Sequence, residues 1–195
     1  MTAAASVPSA PADWADLIRD VPDFPKPGVV FKDITPLLAS PAGFAAVVDE
    51  LVARAPERID VVVGMEARGF IFGAPVALRL GAAFVPIRKA GKLPAEVITA
   101  SYDLEYGTET LAVHADAVRP GARVLIVDDV LATGGTVGAT AELVRRLGAE
   151  LVAVTVVLEL DFLHGREKLA ARGIDQLTAL RSTASATGGS AAADA

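Results

Sequence analysis

The chain has no cysteine among its 195 residues. That excludes disulfides, thiol nucleophiles and cysteine-based zinc sites. Histidine is nearly as scarce, and the isolated His114 and His164 leave no metal-ligand cluster of the usual spacing. Both read as surface or packing positions, and any metal is expected to arrive with a substrate. Long apolar runs are missing too: the longest, Leu151 to Leu158, falls far short of the ~18 residues a membrane span needs. Positive charge is in deficit, with 18 Lys and Arg against 24 Asp and Glu and a net charge of -6, which gives no general attraction to nucleic acid or an anionic membrane. The opening residues lack both a basic segment and a continuous apolar one, so no secretory signal is expected and a cytoplasmic location is the default.

What is present is an alternation of helical and strand patterns. The length suits one domain. Residues 1–12 and 182–195 are rich in small residues and read as disordered tails around a single folded domain over 13–181. Asp13 is a candidate N-cap for a short helix carrying Trp14, Leu17 and Ile18. Val21 to Leu38 contains four prolines and reads as a fixed but irregular path, either a lid or surface coil with two phenylalanines tucked into the core. Phe44, Val47, Val48 and Leu51 form the stripe of a helix from Pro41 to about Ala53. Strands are expected at Ile59 to Val63, Ala83 to Ile87, Val124 to Val130 and Leu151 to Leu158. Helices are expected at Gly69 to Leu80, despite Pro75, and at Thr136 to Leu147. The segment from Arg88 to Val113 reads as a flexible two-stranded flap, and the whole as an α/β fold with a doubly wound, mainly parallel sheet.

Val124 to Thr136, VLIVDDVLATGGT, concentrates the chemistry. An apolar run suited to a strand covered on both faces is followed by Asp128 and Asp129, expected at its carboxyl end where open α/β sheets bind ligands. Ala132, Thr133, Gly134, Gly135 and Thr136 let backbone amides approach an anion at a helix N-terminus. Taken alone, a Gly-Gly pair is more often a plain turn than a phosphate cradle, and the acids could belong to a P-loop NTPase, but no G-x-x-x-x-G-K-[ST] string exists in the chain.

VLIVDDVLATGGT resembles the phosphoribosyl-pyrophosphate signature of type I phosphoribosyltransferases. GMEARGFIFG, RKAGKLP, ASYDLEYG and FPKPGVVFKDI narrow the resemblance to the adenine phosphoribosyltransferases. The resemblance implies a small N-terminal hood over about 13–40, a flap over about 88–113 and a homodimer. It implies transfer of the 5-phosphoribosyl group of phosphoribosyl pyrophosphate to N9 of adenine, giving AMP and pyrophosphate, with Mg2+ bound through the substrate. It assigns Asp128, Asp129 and Ala132 to Thr136 to the phosphoribosyl group, and Arg68, Arg88, Lys89 and Lys92 to pyrophosphate. Val30, Phe31, Val130 and Leu131 fall to adenine, and Arg68 and Glu105 to catalysis, Glu105 as the acid that handles the adenine proton. Tyr102 and Tyr106 would pack the closed flap. The alternatives are a phosphoribosyltransferase for another purine or a pyrimidine, and a non-catalytic nucleotide-sensing regulator of the same fold. The regulator's expected basic face is absent from the sequence.

Overall fold

The computed structural model describes residues 13–103 and 107–183, in two units that divide between Asp49 and Glu50. The expected tails therefore lie almost wholly outside the described residues; Ser182 and Thr183 belong instead to the last strand.

In the first unit, Asp13 accepts a hydrogen bond from the Ala15 amide at 2.9 Å and caps a single 3-10 turn, Trp14–Leu17, with Trp14 buried. The expected helix stops there because the chain turns into β1 (Arg19–Pro22), which pairs antiparallel with β2 (Val30–Asp33). The proline-rich stretch thus contains a ribbon. Cross-strand ion pairs hold it, Arg19 to Asp33 at 2.5 Å and Lys32 to Asp20 at 2.6 Å. Its two phenylalanines are not tucked into a core. Phe24 is exposed, Phe31 is half-buried, and their rings meet edge to face at 5.3 Å. Asp33 also accepts from the Thr35 amide and hydroxyl at the start of α1 (Thr35–Leu38). The Thr35 amide and the Arg19 guanidinium hold its carboxyl down at about 2. The amphipathic helix α2 (Pro41–Arg54), within which the two units divide, follows, with Val47, Val48 and Leu51 buried as the stripe predicts.

The second unit is a seven-stranded sheet. β3 (Val61–Met65), all buried, crosses through α3 (Arg68–Leu80) to the parallel β4 (Ala83–Lys89). Pro75 does not break α3, whose Phe72, Val76 and Ala77 are buried; tertiary packing outweighs the missing hydrogen bond. β5 (Val97–Asp103) and β6 (Thr108–His114) form an antiparallel pair, the expected flap, joined to β4 through Arg88↔Ala112 and Lys89↔Leu111. β7 (Arg123–Leu131), α4 (Gly135–Arg146) and β8 (Glu150–Leu160) make the second crossover. A short helix α5 (Gly165–Ala170) then leads to the parallel edge strand β9 (Leu177–Thr183). Neither α5 nor β9 is foreseen in the sequence. The strand order is β5-β6-β4-β3-β7-β8-β9. Val61, Val63, Val124, Ile126, Val154 and Val156 lie at the centre of one core cluster.

Phe72, on α3, shows no exposed surface. Phe72→Ala is expected to lower unfolding stability by about 3–5 kcal/mol, read as a lower denaturation midpoint in urea with an unchanged slope.

Candidate active site

The chain moves from β3 to β4 in one direction and from β7 to β8 and β9 in the other, so the strand order reverses between β3 and β7. Open α/β sheets bind ligands at such a switch point, outside the carboxyl ends of the strands. Here the turn after β3 and the end of β7 bound a cavity of about 260 Å³, lined by Glu66, Arg68, Asp128, Asp129, Val130 and Thr136 among others. A smaller hollow of about 60 Å³ lies within Asp128 and the loop from Val130 to Val137.

The acids do not follow the strand, as their cost of burial had suggested; β7 runs on to Leu131 and holds both inside it. Asp128 is 9% exposed and Asp129 is 4% exposed. The start of α3 closes on them. A Cβ at Gly69 would lie 2.8 Å from Asp128 Oδ1, so a side chain there would collide with the carboxyl. Asp128 Oδ1 accepts from the Asp129 amide at 2.9 Å. Arg68 Nε lies 2.9 Å from Asp129 Oδ2 as an ion pair. That oxygen nonetheless has no aligned hydrogen-bond donor among the described residues. A ligand hydroxyl could donate to that oxygen alongside its ion pair with Arg68. Burial, reinforced by the charge of Asp129, pushes the Asp128 carboxyl well above the usual range. Burial raises Asp129 as well, against the Arg68 guanidinium, which lowers it.

After β7, Gly134 turns the chain with φ +82° and α4 begins at Gly135. The Gly138 amide donates to the Gly134 carbonyl at 2.9 Å, so the amides of Gly135, Thr136 and Val137 precede the first intrahelical bond. Such amides at a helix N-terminus favour an anion. The flap meets this loop. The Thr136 hydroxyl donates to Tyr102 Oη at 3.1 Å, and a Cβ at Gly135 would lie 2.7 Å from the Tyr102 ring. On its other side stands α5, whose Gly165 comes so close that an added Cβ would sit 2.2 Å from the Ala132 carbonyl oxygen. Arg166 fixes α5 by two nitrogens on the buried Glu159 carboxylate, Nε at 3.0 Å, and by Nη1 on the Leu177 carbonyl at 2.7 Å. The sequence reading missed this bracket. Its signal was Glu159, a carboxylate in an apolar strand that demands a cation.

The expected pyrophosphate cations come together in part. Arg88 Nε and Lys92 Nζ each take one oxygen of the Glu66 carboxylate, at 2.9 and 2.8 Å. Lys89 instead pairs with Glu109 at 2.5 Å. Glu66 is half-buried, and the desolvation raises its carboxyl, but Lys92 and Arg88 outweigh it and hold the group below the usual range. The Glu66–Ala67 peptide is cis. Val130 is half-buried and lines the larger cavity, whereas Leu131 is buried. Val30 and Phe31 lie on β2 of the first unit. Glu105 and Tyr106 lie outside the described residues.

A family model described as a phosphoribosyl transferase domain matches residues 32–174. An adenine phosphoribosyltransferase of Cutibacterium acnes is 66% identical over 166 residues, covering 85% of this chain and 94% of that protein. One of Thermobifida fusca is 64% identical over 154 residues, covering 78% and 88%. Among solved structures, the adenine phosphoribosyltransferase of Thermoanaerobacter pseudethanolicus superposes with a TM-score of 0.82 at 50% identity, covering 86% of this chain and 96% of its own. The Giardia lamblia enzyme complexed with 9-deazaadenine gives 0.84 at 40% identity, covering 89% and 98%.

A carboxyl whose pKa is raised by folding weakens the fold when it ionises. The penalty is absent below the unfolded value near ~3.9 and complete above the folded one. Asp128→Asn, which keeps the acceptor for the Asp129 amide, is therefore expected to raise the melting temperature by ~2 °C or more at pH 7–8. The gain should shrink towards zero as the pH falls to about 4, measured by thermal melts across that range.

Proposed function

We propose a mechanism from one premise: the chain belongs to the phosphoribosyl transferase family, in its adenine phosphoribosyltransferase branch, and it transfers the 5-phosphoribosyl group of phosphoribosyl pyrophosphate to N9 of adenine, giving AMP and pyrophosphate. The observation that carries the residue roles is the buried acid pair beside an anion-favouring loop, with Asp129 Oδ2 lacking an aligned donor. Asp128 and Asp129 hold the ribose 2′- and 3′-hydroxyls. Ala132, Thr133, Gly134, Gly135 and Thr136 grip the 5′-phosphate with main-chain amides and a hydroxyl. Departure of pyrophosphate builds positive charge on the sugar, which ionised carboxylates nearby stabilise.

Arg68, Arg88, Lys89 and Lys92 neutralise the departing pyrophosphate. Glu105 handles the adenine proton, and closure of the flap keeps water from the activated sugar. Phe31 offers an aromatic face to the base, Val30 main-chain groups that read its edge, and Val130 and Leu131 apolar support. Mg2+, when bound with phosphoribosyl pyrophosphate, spreads the charge of the leaving group. Oxygens of the substrate would carry that Mg2+, a role the family resemblance implies.

The enzyme acts as a cytoplasmic homodimer in purine salvage. Support for the dimer comes from α3, whose outer face exposes Ala74 and Leu78, with Leu78 81% exposed and Ile71 and Pro75 half-buried beside them. No helix among the described residues is long and apolar enough to cross a membrane.

Assay of the purified protein with phosphoribosyl pyrophosphate and each base in turn is expected to give AMP from adenine, and preference for a 6-oxopurine would overturn the base assignment. The double variant Asp128→Asn with Asp129→Asn is expected to lose about 10²-fold or more in turnover; unchanged turnover would remove the role of the acid pair. Leu78→Glu is expected to shift the protein from dimer to monomer in light scattering, and an unaltered mass would move the interface off this face.

A further inference from the structure

The cations assigned to pyrophosphate already hold an anion. Arg88 and Lys92 converge on Glu66 from positions 22 and 26 residues further along the chain, each bonding a different carboxylate oxygen. The Arg88 Nη1 also donates to the Lys92 carbonyl at 3.1 Å, which ties the two cations to one turn. Their exposures are unequal. The Glu66 side chain is 7% exposed, while those of Arg88 and Lys92 are 36% and 50% exposed. Glu66 is thus fixed beneath two cations whose outer surfaces remain open, and it lines the same cavity as Arg68 and the acid pair.

We infer that Glu66 is a built-in competitor for pyrophosphate: it occupies the inner side of Arg88 and Lys92, cancels part of their charge, and thereby sets how loosely the released pyrophosphate is held. This rests on the reading of Arg88 and Lys92 as pyrophosphate ligands. A phosphoribosyltransferase needs cations strong enough to draw off the leaving group and weak enough to let it go. Two cations with one fixed carboxylate present about one net positive charge, where two bare cations would present two. Glu66 also repels the incoming anion directly. It differs in this from a purely supporting carboxylate, whose loss would misplace the cations and weaken binding.

Isothermal titration calorimetry with magnesium pyrophosphate separates these cases, using the full chain and the variants Glu66→Gln, Arg88→Gln and Lys92→Gln. Glu66→Gln keeps the shape and an acceptor oxygen but removes the charge. It is expected to bind pyrophosphate about tenfold more tightly. Its steady-state turnover should fall, with the first turnover in rapid quench unslowed. Arg88→Gln and Lys92→Gln are expected to bind it about tenfold or more weakly. If the two cation variants weaken binding while Glu66→Gln is unchanged or weaker, Glu66 is a scaffold and the inference falls, although the pyrophosphate reading stands. If the cation variants leave affinity unaltered, the pyrophosphate reading itself fails and the inference with it. Glu66→Asp guards against a misfolded amide variant. One methylene shorter, it cannot span both cations as Glu66 does, and it is expected to tighten binding to a lesser degree; weaker binding than wild type by a folded Glu66→Asp protein would also overturn the inference.

Discussion

The rest of the second unit is arranged around two carboxyl groups buried in a β-strand. Asp128 and Asp129 occupy places in β7 that packing would give to valine, and their burial opposes folding at neutral pH. The surrounding structure offsets that cost. Gly69 leaves room for one carboxyl, Arg68 supplies charge to the other, and β8 pairs with β7 at Asp128 and Val130 while β3 pairs with it up to Val127. The pair is held rigid and underbonded at the crevice where the strand order reverses, which suits it to a polyol that arrives with its own hydroxyls.

The loop beyond the acids is held from both sides. Tyr102 of the flap covers Gly135 and Thr136, while Gly165 presses on Ala132 under the Arg166 to Glu159 ion pair. The loop therefore needs little reorganisation to meet an anion, and preorganised donors are what make such sites effective. Contact of Tyr102 with Thr136 also links the flap strand directly to the segment proposed to hold the 5′-phosphate.

Much of this was legible in the sequence because it is written locally. The runs at Val61, Val124 and Leu151 announce buried strands through composition, and the stripe from Phe44 to Leu51 announces α2. The acid pair and glycine loop stand together in one string. What stayed hidden depends on distant partners. α5 is six residues of mostly polar sequence with no apolar period, and it forms because Arg166 reaches Glu159 and Leu177. β1 and β2 sit among prolines that argue against strands, and long-range ion pairs at Asp20 and Asp33 select them. The pairing of Glu66 with Arg88 and Lys92 spans a whole β-α-β crossover. No local pattern could assign it.

The join between the flap and the sheet has its own consequence. β6 pairs with β4 at Arg88 and Lys89, so the residues that anchor the flap are also two of the cations. Side chains alternate along a strand, and a slip of one residue there would turn both cations to opposite faces while detaching the flap from its register. An insertion or deletion there would therefore move two of the cations assigned to pyrophosphate at once. The seam at Arg88 and Lys89 tolerates neither insertion nor deletion.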